Sequence, residues 1–115
     1  MDIYIPDTGD LVWINMNPQA GHEQAGRRPA IVLSPISYNK KAGLALFCPI
    51  TSQIKRYPFE VIIPADCNIK GVILSDQVKS LDWKARHIEF AGKIPFSTVS
   101  EVLKKLNTLL DSTCL

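Results

Sequence analysis

The sequence predicts a mainly β fold of the α+β kind, six to seven short strands closing on themselves into a small barrel with one C-terminal helix packed against it. Three observations carry that reading. Apolar, β-branched runs of about four to eight residues recur along the chain, each stopped by proline, glycine or a polar cluster. Apolar residues at helical spacing set in only after Pro95. A chain of 115 residues is large enough for a hydrophobic core but too short for two independent ones, so residues 1–115 read as one domain.

Gly9 and Asp10 turn the chain into a first strand over 11–17, with Leu11, Trp13 and Asn15 on one face and Val12, Ile14 and Met16 on the other. Asn17 and Pro18 break it. The loop that follows, through Arg28, spans about ten residues against the roughly 2–5 of an ordinary hairpin, a length that marks functional loops. A second strand covers 30–34. Residues 36–43, closed by Gly43, read as a connection with room for one helical turn. The third strand is LALFCPIT, where Pro49 argues for an edge position or a bulge. FEVIIP reads as a strand, GVILSDQVKSLDW as two short strands or one bent one, and ARHIEFAGKI as a last, weaker strand. In the C-terminal helix Val99, Val102, Leu103, Leu106 and Leu110 share a face, and Thr98 with Glu101 fits a capping box, with Ser97 as the competing cap.

Thirteen basic and 11 acidic residues leave a formal charge of +2, so a nucleic-acid partner would have to be read from local clusters. Arg27 with Arg28, Lys40 with Lys41 and Lys55 with Arg56 supply these, each placed by the sequence in a loop. Cys48, Cys67 and Cys114 match neither a zinc site nor a disulfide framework, which points to a reducing, cytoplasmic setting. The N-terminus lacks an apolar leader, and no stretch approaches the ~18 apolar residues of a membrane span. Two distant histidines and the absence of a carboxylate cluster set a metal aside, and no glycine-rich loop suggests a nucleotide cofactor.

Chemistry concentrates around AGHEQAGRRPAIVLSP, a polar loop bounded by Gly21 and Gly26 that runs straight into an apolar strand. His22 titrates near pH 7 and can take up and return a proton, though a solvated loop histidine has the same appearance. Arg28 offers a planar five-donor fork for a phosphate, or a surface ion pair with Glu23 or Asp76. Thr51 and Ser52 end a strand where hydroxyls and amides can hold phosphate oxygens or simply stabilise a turn. Asp76 can orient His22 or Arg28, or cap the turn that it begins with Gln77. Cys48 reads as a core thiol. Tyr57, Phe59 and Trp83 have faces on which bases stack, and equally the size of core or dimer contacts. Without a metal, phosphoryl chemistry restricts the substrate to RNA, whose 2′-hydroxyl serves as its own nucleophile.

PDTGDLVWINMNPQAGHEQAGRRPAIVLSP, YNKKAG, CPITSQIKRYPFEV and GVILSDQVKSLDWKAR, in this order and spacing, resemble the MazF/PemK (Kid) toxins of bacterial toxin–antitoxin modules. The resemblance covers nearly the whole chain. It implies an SH3-like barrel with a C-terminal helix, a homodimer, and a metal-independent endoribonuclease that cuts single-stranded RNA at a specific motif. It also implies a cognate MazE-like antitoxin whose disordered C-terminal segment occupies the RNA groove. In the MazF branch the arginine of a G-x-R-P motif and a threonine ending the third strand act, matching Arg28 and Thr51. In the PemK branch a loop histidine and an aspartate take part, matching His22 and Asp76, but the arginine two residues before that aspartate is Leu74 here, so the PemK scheme does not transfer whole. On this reading His22, or Glu23 in its place, carries the proton, and the RNA is held by Arg27, Ser52, Gln53, Lys55, Arg56, Tyr57, Phe59, Gln77, Lys79 and Arg86. The rival is a CcdB-like toxin that acts by binding DNA gyrase. It relies on a tryptophan near the end of the C-terminal helix, and this chain ends LLDSTCL.

Overall fold

The structure, a computed structural model, describes residues 3–16 and 26–111. Seven strands form one antiparallel sheet: β1 (Asp10–Asn15), β2 (Arg27–Val32), β3 (Ala45–Thr51), β4 (Glu60–Ile62), β5 (Val72–Leu74), β6 (Lys79–Leu81) and β7 (Glu89–Lys93). They lie in the order β4-β5-β3-β2-β1-β7, with β6 paired to the first half of β3. Among the described residues β4 and β7 end the sheet without pairing to each other, so the expected closed barrel is an open, curled sheet. The described residues also include the helices α1 (Ile36–Ala42) and α2 (Phe96–Leu110).

Period-two alternation explains why β1, β2 and β3 are apolar on both faces. Leu11, Ile31, Leu33, Cys48 and Ile50 point into one core with Val61, Ile73 and Ile94, which α2 covers through Val99 and Val102. Val12, Ile14, Ala30, Val32, Ala45 and Phe47 point into a second core with Leu81 and Trp83. Trp83 is therefore a core residue, 3% exposed, and not a stacking platform for bases.

Pro49 is in the middle strand of the sheet, not at an edge. Residues 45–47 of β3 pair with β6, residues 50 and 51 pair with β5, and Pro49, which has no N–H to offer, stands at the handover. On the other side, Ala30↔Pro49 is the last pair between β2 and β3, and Pro29 falls just outside that register. Two prolines thus mark the place where these strands part. Arg27 and Arg28 lie inside β2, opposite Asn15 and Ile14, and not in the loop where the sequence placed them.

The segment 36–42 is a helix of two turns, so Lys40 and Lys41 sit in its last turn, where they suit its carbonyl end. Asn39 explains why it folds. Fully buried, its Nδ2 donates to the carbonyls of Pro6 (2.8 Å) and Ser34 (2.9 Å), its Oδ1 accepts from Ser34 Oγ (2.6 Å), and its carbonyl accepts from Trp83 Nε1 (3.1 Å). The capping box expected for α2 is not formed. The helix starts at Phe96 with Pro95 as its cap residue, whose carbonyl takes the Thr98 N–H, while Thr98 turns inward and is buried.

Candidate functional site

Where β2 and β3 part, the surface opens into a cavity of about 690 Å³. Arg28 and Pro29 come from β2, Pro49, Ile50 and Thr51 from β3, Leu74 from the end of β5 and Lys79 from the start of β6, with Ser52 and Gln77 in the segments that follow β3 and β5. Arg28 is exposed, and among the described residues its side chain donates to the neighbouring Arg27 carbonyl alone, from Nη1 at 3.2 Å. Within that set the remaining donors of its fork are left for an anion. Thr51 Oγ1 accepts the Gln53 N–H at 3.1 Å, and its own hydroxyl proton has no acceptor among the described residues. Both side chains therefore present unused donors to one space.

Thr51 also borders a second cavity of about 420 Å³, lined by Gln53, Lys55, Tyr57, Glu60, Leu74 and Gln77. The loop between β3 and β4 that forms its wall is folded around a carboxylate. Glu60 accepts the N–H groups of Lys55 (3.1 Å) and Arg56 (3.0 Å), with Arg56 held at φ 59°. Tyr57 and Phe59 lean on each other with ring centroids 5.7 Å apart. The Tyr57 hydroxyl donates to Asp76 Oδ2 at 2.7 Å, a bond that raises the phenol's pKa because it stabilises the protonated form beside a carboxylate.

The structure divides the residues singled out from sequence. Arg28, Thr51, Ser52, Gln77 and Lys79 line the first cavity, and Gln53, Lys55 and Tyr57 the second. Arg27 instead pairs with Glu89 and donates to the His87 carbonyl, and Arg86 donates to the Asn15 carbonyl at 3.1 Å, so both tie β1 and β2 to the segment before β7. Arg56, Phe59 and Asp76 line neither cavity. Asp76 accepts from Tyr57, and of the alternatives that the sequence offered for it, a pairing with Arg28 is not formed among the described residues. His22 and Glu23 lie outside the described residues. Among the described residues no group of three or more His, Cys, Asp or Glu side chains could hold a metal ion.

Wall residues that the sequence did not assign to a site include Trp13, Met16, Asn68, Ile69, Lys70 and Leu74. Trp13 carried a usable signal, a large aromatic inside a short strand that is apolar on both faces, where one side chain in excess must face outward; it is 38% exposed.

The description "PemK-like, MazF-like toxin of type II toxin-antitoxin system" belongs to a family model that matches residues 7–110. The chain belongs to this family. It is 46% identical over 107 residues to the endoribonuclease toxin MazF of Escherichia coli K12, covering 93% of this chain and 96% of that protein. Among solved structures, MazF of Deinococcus radiodurans superposes with a TM-score of 0.86 at 53% identity, covering 94% of this chain and 98% of the other. A MazE–MazF crystal structure from the same organism gives 0.84 at 46% identity, with 94% and 97% covered.

Proposed function

We propose that this protein is a MazF-like toxin that cuts single-stranded RNA at a short sequence motif and is neutralised by a cognate MazE-like antitoxin. One observation carries the reading: Arg28 and Thr51 bring unused hydrogen-bond donors into one open cavity, with Lys79 on its wall. That arrangement holds a phosphodiester. Family relatives named as endoribonucleases, and the MazE–MazF complex of a close structural neighbour, support the substrate class and the partner.

The step we propose needs no metal. A base removes the proton of the ribose 2′-hydroxyl, the oxygen attacks the adjacent phosphorus, and the 5′-oxygen leaves with a proton, giving a 2′,3′-cyclic phosphate and a 5′-hydroxyl end. Charge grows on the non-bridging oxygens as phosphorus becomes pentacoordinate. The Arg28 guanidinium and the Thr51 hydroxyl donate to those oxygens, and donors already in place stabilise the transition state without reorganisation. A guanidinium with a pKa above ~12 is poorly matched to proton transfer at neutral pH, so the proton passes through His22, or Glu23 in its stead. The protein acts as a homodimer in the cytoplasm, and acidic and apolar antitoxin residues fit a groove carrying Arg28, Lys55 and Lys79.

Purified protein incubated with a long unstructured RNA in excess EDTA tests this. Recurrent cuts at one short motif with 5′-hydroxyl ends, lost in Arg28→Ala, are expected; intact RNA with folded, antitoxin-free protein would send the function to protein binding, with DNA gyrase as the first partner to try.

A further inference from the structure

The loop between β3 and β4 exposes every residue from 52 to 58, yet its backbone is pinned at several points. Glu60 takes the Lys55 and Arg56 N–H groups, Lys105 of α2 donates to the Pro58 carbonyl at 2.6 Å, and Ser75 donates to the Phe59 carbonyl from both its N–H (3.1 Å) and its hydroxyl (2.5 Å). Of the side chains that line the cavity beside Thr51, these bonds hold Glu60, and Tyr57 is held separately, since its ring lies against Phe59 and its hydroxyl is taken by Asp76.

Asp76 is an unusual choice for a merely structural acceptor. Its Oδ2 is used, but its Oδ1 is buried with no hydrogen-bond partner among the described residues. A buried acceptor left without a donor is unfavourable, so fold stability alone does not account for a carboxylate here. Asp76 is also absent from the walls that Arg28 and Thr51 share, where Leu74 stands.

We propose that Asp76 is a positioning residue for substrate selection: by accepting the Tyr57 hydroxyl it fixes that ring as a wall of the cavity beside Thr51 and so sets which RNA motif is held for cutting. This rests on the ribonuclease reading and departs from the proton-transfer role that the PemK resemblance implies for Asp76. A locked aromatic wall selects by shape and stacking, since a base of the wrong outline loses contact with a ring that cannot move aside.

The experiment maps cut sites on a long unstructured RNA, then measures kcat and KM on an oligonucleotide carrying the recovered motif and on its single-base variants. Tyr57→Phe, Asp76→Ala and Asp76→Asn are compared with the unmutated protein. Loss of the bond should raise KM by about tenfold and narrow the preference for the true motif, with kcat changed far less, in both Tyr57→Phe and Asp76→Ala. The double variant should be no worse than either single, because both remove one interaction. Asp76→Asn keeps an acceptor for the phenol and should restore KM and selectivity relative to Asp76→Ala. If Asp76 carries a proton, Asp76→Asn instead loses kcat as severely as Asp76→Ala and loses a limb of the pH profile, while Tyr57→Phe stays normal; that pattern overturns the proposal. Should Asp76→Ala fail to fold, Tyr57→Phe and Asp76→Asn still decide between the two. Absence of cutting by the unmutated protein is a different result, since it removes the ribonuclease reading itself and the proposal with it.

Discussion

Gly71 lies with its Cα against the backbone of Thr51: a Cβ on Gly71 would stand 2.2 Å from the Thr51 carbonyl oxygen and 2.9 Å from its carbonyl carbon. The glycine has φ +126°, a conformation that side-chain-bearing residues rarely adopt. Strain and overlap act in the same direction at this position. Gly71→Ala is expected to push β5 off the end of β3, where Thr51 pairs with Val72, and to destabilise the protein by about 2–4 kcal/mol. Urea unfolding measures the first effect. RNA cleavage under conditions where the variant is fully folded measures the second, the displacement of the Thr51 hydroxyl, and should be slowed.

The roles proposed for Arg28 and Thr51 make separate demands on chemistry. If Arg28 stabilises charge through its fork, Arg28→Lys keeps a cation but loses the paired donors, and should recover only a small part of the activity lost in Arg28→Ala. Thr51→Ser keeps the hydroxyl, whereas Thr51→Val keeps the shape and removes it, and the second should be slower by about 10²–10³ in kcat. Arg28 is exposed, so its replacement should leave unfolding midpoints nearly unchanged, which separates a chemical effect from a structural one.

Much of this architecture was legible because it is local. Alternation in β1 and in the run through Ile31 and Val32 places side chains on two faces whatever the partner strand, and the change of period after Pro95 announces α2. What depends on pairing across the chain was not. Pro49 argues for an edge from sequence, and only the handover of β3 from β6 to β5 shows how a central strand tolerates it. Arg27 and Arg28 look equivalent as neighbours, yet β2 sends one to Glu89 and the other into the cavity. Asp76 and Tyr57, 19 residues apart, are joined only by the fold.

Asn39 is polar in a helix the sequence left as a connection, and every hydrogen-bonding group of its amide is used in the interior. Asn39→Ala strands the Pro6 carbonyl and the Ser34 groups away from water and opens a cavity beneath Trp83. We expect a loss of about 2–4 kcal/mol, read as a lower urea midpoint. Cleavage per folded molecule should be unchanged, because Asn39 lines neither cavity of the site.

Cys48 gives the fold a pH dependence of known sign. Its thiol is fully buried, donates weakly to the Ser75 carbonyl at 3.9 Å, and is pushed from 9.0 up to about 12, chiefly by burial and further by the nearby Asp76 carboxylate. The folded state thus keeps a proton that the unfolded chain releases near pH 9. Stability from this group is complete below that pH and falls as pH rises from about 9 toward 12, by up to about 1.4 kcal/mol for each pH unit. Tyr4 is raised by burial and by its bond to Asp10, so it adds a loss of the same sign above about pH 10. Urea midpoints measured from pH 7 to 10 should be flat at first and then decline, and Cys48→Ala should be less stable throughout but flatter between pH 9 and 10. The same burial predicts that iodoacetamide at pH 8 labels the half-buried Cys67 well before Cys48 in the folded protein, a difference that vanishes in urea. An equal pH slope in Cys48→Ala would place the titration in another group.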